Sequence, residues 1–132
     1  MSAHSSRQYD HELESIRTRI LAMGGLVETQ LQLAVAALEQ ADLQRADEAI
    51  ATDRRVNDLE VELDRAINNV IARRQPTASD LRLIMGVSKA IIDLERIGDE
   101  STKIARVVHW LHDKGTPVPR PADLGACAAP VC

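Results

Sequence analysis

The chain has no phenylalanine, one tyrosine and one tryptophan among its 132 residues. A core without aromatics has to be built from Leu, Ile, Val and Ala, as the interiors of helical bundles often are. Cysteine is nearly absent too. Cys127 and Cys132 fall in the last few residues, with neither CxxC spacing nor neighbouring histidines, which argues against a zinc site and a structural disulfide. No apolar run approaches the roughly 20 residues that span a bilayer. The start, Met1 to Arg7, is not followed by the apolar core of a signal peptide. A cytoplasmic protein without direct membrane insertion is the expectation. Positive charge is not in excess either: the net charge is -4, so no bulk attraction to nucleic acid is indicated. Arg73 and Arg74 beside Arg82 lack interleaved aromatics and a basic face, and read as a solvated helix end.

Catalytic signatures are also missing. There is no Gly-rich phosphate loop, no nucleophile elbow, and no Ser/His/Asp or Cys/His constellation. A di-metal carboxylate oxidase would need Glu-x-x-His on two helices, and none occurs; His4, His11, His109 and His112 lie towards the chain ends. The expectation is a protein that is not an enzyme.

What is present is a globular composition, 45% hydrophobic and 27% charged, over a length that fits one domain. From Tyr9 to about Gln40, Leu13, Ile16, Ile20, Met23, Val27, Leu31, Ala34 and Leu38 recur at steps of three and four, which predicts a long amphipathic helix. Residues 1–8 read as a frayed polar start. Gly24-Gly25 predicts a kink or a close helix contact. Asp42 is placed to cap a second helix to about Arg74, with a core row of Ala49, Thr52, Val56, Leu59, Leu63, Ala66 and Val70. Pro76 breaks the pattern, and Ser79 or Asp80 is placed to cap a third helix to about His112. Its core row is Ile84, Val87, Ile91, Leu94, Gly98, Ser101, Ala105 and Val108. The short connection makes helices two and three antiparallel neighbours. The fold class is therefore all-α, a single antiparallel three-helix bundle over residues 1–113. Residues 114–132, with most of the prolines and both cysteines, read as a flexible tail.

Beside each core row runs a second one. On helix two it holds Asp53, Asn57, Glu60 and Asp64; on helix three it holds Glu95 and Asp99, with Gly98 between them. Folding at Thr77, with equal rise on both helices, brings Glu95 level with about Leu59 and Glu60, and Asp99 level with Arg55 to Asn57. Asp53, Asn57, Glu60, Glu95 and Asp99 are thus a candidate oxygen-rich metal site. Packed carboxylates without counter-charge are unfavourable, and an all-oxygen set suits Mg²⁺, Ca²⁺, Mn²⁺ or iron. The competing reading is a pair of solvated faces, with Glu95 and Asp99 in surface ion pairs to Lys103, Arg96 or Arg106. A glycine inside a helix, such as Gly98, predicts a close approach to the backbone.

Four stretches resemble the PhoU family of phosphate-signalling accessory regulators. They are Tyr9 through Met23-Gly24-Gly25-Leu26-Val27-Glu28, Asp53 through Val56-Asn57, Ile71 through Gln75-Pro76-Thr77-Ala78-Ser79-Asp80-Leu81-Arg82, and Asp93-Leu94-Glu95-Arg96-Ile97-Gly98-Asp99. The similarity covers roughly residues 5–113. It implies a fold of two side-by-side three-helix repeats, of which this chain carries one. It implies (Glu/Asp)-x-x-x-Asp motifs that hold metal clusters in some members. Glu95 and Asp99 match that motif, and Asp53 with Asn57 matches its helix-two counterpart with Asn in the last position. It further implies a negative regulator of phosphate uptake and of the phosphate-starvation regulon, an adaptor between the ATPase subunit of the phosphate ABC transporter and a sensor histidine kinase. With one repeat, a homodimer that rebuilds the two-bundle body is expected, with the Gly24-Gly25 surface as a candidate contact. The alternative is a truncated non-functional fragment, or a generic helical dimerisation module.

Overall fold

The structure, a computed structural model, describes residues 3–115. Its elements are α1 (Ala3–Gln40), α2 (Leu43–Arg73) and α3 (Ala78–Asp113), running up, down and up, each packed against both others. The expected bundle is present. Among the described residues there is no strand. The tail expected over 114–132 lies, beyond Gly115, outside the described residues, as do both cysteines.

The turns follow from local chemistry. α1 ends at Ala41, which takes the left-handed conformation at φ 54°, and the Asp42 N–H donates back to the Ala37 carbonyl at 3.0 Å. This is a helix stop that glycine usually fills. Asp42 then caps α2 as expected, its Oδ1 accepting from the Gln44 and Arg45 amides at 3.0 and 3.3 Å. The cap of α3 differs from expectation: it is Thr77, whose hydroxyl accepts from the Asp80 amide at 3.2 Å. Asp80 is drawn elsewhere, accepting from the Tyr9 hydroxyl at 2.8 Å. Burial, and then that bond, push the Tyr9 phenol up to about 12; the same bond holds the Asp80 carboxyl below its ordinary range. Arg74, one residue past α2, donates through Nε and Nη2 to both oxygens of Glu12, each at 3.2 Å. These two contacts tie the α2–α3 turn to the start of α1. Arg74 is thereby engaged within the fold.

The apolar interior has two parts. A larger one is built from Leu, Ile, Val and Met, including Ile16, Met23, Leu63, Ile84 and Ile91. A smaller one at the other end is Ala34, Ala37, Ala46, Ala49, Ala105 and Val108. Alanines there let the helices run close together. Between the two parts sits a polar layer of buried Gln30, Thr52, Ser101 and Thr102. The core row of α1 accordingly runs Val27, Gln30, Ala34, Ala37, and Leu31 is left 37% exposed instead of buried. α1 runs on through Gly24-Gly25 without a break, and a methyl at either glycine would meet nothing within 4 Å. The polar start is likewise helical from Ala3. By length and composition α1 is apolar enough to cross a membrane, although no uninterrupted apolar run suggests it: scattered glutamines, a threonine and one glutamate break the run without offsetting its apolar average.

Ala41 is exposed and strained. Ala41→Gly is expected to raise unfolding stability by about 0.5–1 kcal/mol, because glycine adopts this conformation without a Cβ penalty. Urea denaturation of both proteins measures it, and an unchanged or lower midpoint would count against the left-handed stop.

Candidate carboxylate site

The polar layer and the acid strips meet at Gln30. Its Nε2 donates to three acceptors on the other two helices: the Ala49 carbonyl at 3.2 Å, Asp53 Oδ1 at 3.1 Å and Thr102 Oγ1 at 3.1 Å. Thr102 passes its own proton on to the Gly98 carbonyl at 3.1 Å. An amide nitrogen has two hydrogens, so three acceptors mean shared, bifurcated bonds. Gln30 Oε1 is buried without a partner, a deficit that ordinarily costs about 1–3 kcal/mol. It faces Gly98, where a methyl would stand 3.1 Å from Oε1 and 3.4 Å from Asp53 Oδ1. The close approach that Gly98 predicts is therefore this amide. Sequence periodicity alone could have flagged Gln30, three residues after Val27 and four before Ala34. Its polarity hid it.

The five candidate residues lie on the outer side shared by α2 and α3, in two groups. Asp53 and Asn57 form the first: Asn57 Nδ2 donates to Asp53 Oδ2 at 3.4 Å. Asp53 is half-buried and Asn57 exposed. Glu60 and Glu95 form the second, as their matched heights anticipate. A hydrogen bond to Glu95, then partial burial, then the charges of Glu95, Asp64 and Asp99 push the Glu60 carboxyl up from 4.5 to about 7. Asp99 is exposed and close enough to act on Glu60 through its charge. As the side chains stand, no three His, Cys, Asp or Glu groups among the described residues converge closely enough to grip an ion.

Counter-charge is missing. None of the ion pairs among the described residues involves Asp53, Glu60, Glu95 or Asp99; Lys103 pairs with Glu100 at 3.2 Å. The strip relieves its repulsion by keeping a proton on Glu60 near neutrality. By donor type such a set suits a hard, oxygen-preferring cation, which would have to draw more of the acids together than stand together here. The site is an open surface. Two grooves, one lined by His11, Arg19, Glu62 and Arg65 and one by Gly25, Leu26, Arg55 and Leu59, lie where α2 faces α1, away from the acids.

Three outcomes are expected. Because the folded state holds the Glu60 proton more tightly than the unfolded chain, this group's stabilisation is complete below about 4.5 and disappears as pH rises through about 7. Glu60→Gln should therefore lose less stability than the parent between pH 5 and pH 8, and parallel urea midpoints for the two proteins would contradict the shared proton. Gly86 is exposed in α3, and a methyl there would meet no atom within 4 Å, so Gly86→Ala should gain about 0.5–1 kcal/mol. Gly98→Ala should instead lose about 1 kcal/mol, since the helix gain is outweighed by displaced buried amide bonds. Equal gains at both sites would show that Gln30 yields freely.

With this geometry in view, similarity to known proteins is informative. The PhoU domain family matches residues 20–108. The phosphate-specific transport system accessory protein PhoU homolog of Pseudomonas putida is 50% identical over 115 residues, 87% of this chain and 45% of that protein. The phosphate-specific transport system accessory protein PhoU of Escherichia coli K12 is 51% identical over 106 residues, 80% of this chain and 44% of that protein. The crystal structure of PhoU from Pseudomonas aeruginosa superposes with a TM-score of 0.77 at 48% identity, over 81% of this chain and 51% of that one. The chain thus spans about half the length of the relatives it matches. Over that half the matched region contains all three helices' packed centres and every acid of the strip, and the chain belongs to the PhoU family.

Proposed function

We propose that this chain acts as a negative regulator of phosphate uptake and of the phosphate-starvation regulon, in the manner its resemblance implies. It does so as a cytoplasmic adaptor between the ATPase subunit of a phosphate ABC transporter and a sensor histidine kinase. It does so without catalysis of its own and as a homodimer. The observation that carries this reading is the family membership together with relatives named as accessory proteins of phosphate-specific transport. The absence of basic partners from the acid strip, among the described residues, supports the second part of the reading, a divalent or iron-type cation held by Asp53, Asn57, Glu60, Glu95 and Asp99. When bound, the cation supplies positive charge that replaces the Glu60 proton and draws the two acid groups together. The protein's own part is to supply hard oxygen donors from α2 and α3 at matched heights.

Two measurements test this. Expression of the chain in a strain lacking its own phosphate regulator should restore repression of a phosphate-starvation reporter in rich phosphate. No restoration from folded, dimeric protein would favour a helical module without signalling function. Metal analysis of chelator-free protein should find bound divalent metal or iron, lost in the Glu95→Ala, Asp99→Ala double variant; an unchanged metal content would remove these residues from the site.

A further inference from the structure

Gln30 belongs to neither acid motif, yet it is the one α1 side chain shown bonding to a member of the strip among the described residues. It is fully buried. Through one amide nitrogen it reaches α2 at Ala49 and Asp53 and α3 at Thr102. Asp53 is consequently held from two sides, Oδ1 by Gln30 and Oδ2 by Asn57. We propose that Gln30 is a positioning residue of the carboxylate site: it fixes the Asp53 carboxylate at a set separation from the α3 acids, and so couples the packing of α1 to the readiness of the site for a cation. This rests on the reading of the strip as a cation site given above.

Three features point to positioning over plain packing. Both groups that hold Asp53 are neutral amides, which orient a carboxylate without cancelling its charge. A lysine or arginine at either place would compete with the cation for it. Next, the three Nε2 bonds are largely offset by the unpartnered Oε1, which an apolar side chain of similar length would lack, so stability alone does little to favour glutamine here. Finally, Gly98 stands opposite, and its missing Cβ makes the room that the amide occupies. Gly98 lies between the two α3 acids Glu95 and Asp99. The same amide is therefore linked, through Thr102, to the backbone that presents them.

The test is Gln30→Met in the full chain, measured without metal and then titrated with Mn²⁺ alone. Without metal, the Asp53 side chain should occupy one rotamer in the parent and average among several in the variant, as read from NMR scalar couplings to its β protons. The unfolding midpoint should stay level or rise. Mn²⁺ affinity by calorimetry should fall roughly tenfold, the size of effect that loss of a partner orienting a metal ligand ordinarily has. A single Asp53 rotamer in both proteins overturns the proposal, as does an unchanged Mn²⁺ affinity. If the parent itself takes up no Mn²⁺, the cation reading fails, while the metal-free couplings still decide whether Gln30 positions Asp53. Should Gln30→Met not fold, Gln30→Asn, one methylene too short to reach Asp53 Oδ1, carries the same expectations for the Asp53 couplings and for the Mn²⁺ affinity.

Discussion

The arrangement depends on one buried primary amide. Gln30 sits where a three-helix bundle would ordinarily place an alanine or leucine, and its Nε2 reaches both other helices. Much else follows from it. The polar layer around it separates the aliphatic part of the interior from the alanine-rich part. Position 98 has to be small because Oε1 occupies the room that a Cβ would fill. Thr102 must present an acceptor inward while bonding its own turn at Gly98. Aliphatic packing on either side supplies the bulk of the stability, at about 25 cal/mol per Å² of apolar surface buried. It is nondirectional, and would tolerate sliding of one helix along another. The amide does not tolerate it, because a slide by one residue would take its acceptors out of reach.

A fixed register is what lets the acids act on one another. Two like unit charges about 4 Å apart near a protein surface repel by about 4 kcal/mol at an effective dielectric of ~20. Solvated acids on a flexible surface would move apart and escape this. Glu60 and Glu95 do not: they share a hydrogen bond, and Glu60 titrates near neutrality. Glu12, Glu14, Asp42, Asp47 and Glu100 each have a basic partner. The strip alone among these acidic groups resolves its repulsion with a proton.

Most of the fold was legible in the sequence because apolar spacing and turn chemistry are local. The rows on α2 and α3, the Asp42 cap and the break at Pro76 follow from residues within a few positions of one another. The meeting of Glu60 with Glu95 was also legible, because a short turn and equal helical rise leave little freedom. What was not legible depended on distant partners. Asp80 has the residue type of a cap, yet Tyr9, 71 positions away, takes its carboxylate. Gly24-Gly25 has the composition of a close contact, yet nothing in the described chain approaches it, while the single Gly98 makes one. Gln30 carried the right spacing and the wrong polarity, and only its acceptors on two other helices explain its burial.

The asparagine at position 57 also becomes intelligible. The motif on α3 ends in Asp99, whereas its counterpart on α2 ends in Asn57. An aspartate at 57 would face Asp53 one turn away with no donor between them, adding repulsion to a strip that already retains a proton. Asn57 instead donates from Nδ2 to Asp53 Oδ2, at 3.4 Å a weak bond but an attractive one, and keeps its own carbonyl oxygen as a neutral acceptor. Asp53 is then steadied by two amides, Gln30 from the core and Asn57 from the surface. The two halves of the strip differ in kind. On α2 a single carboxylate is oriented by neutral groups, and on α3 two carboxylates stand a turn apart around a glycine.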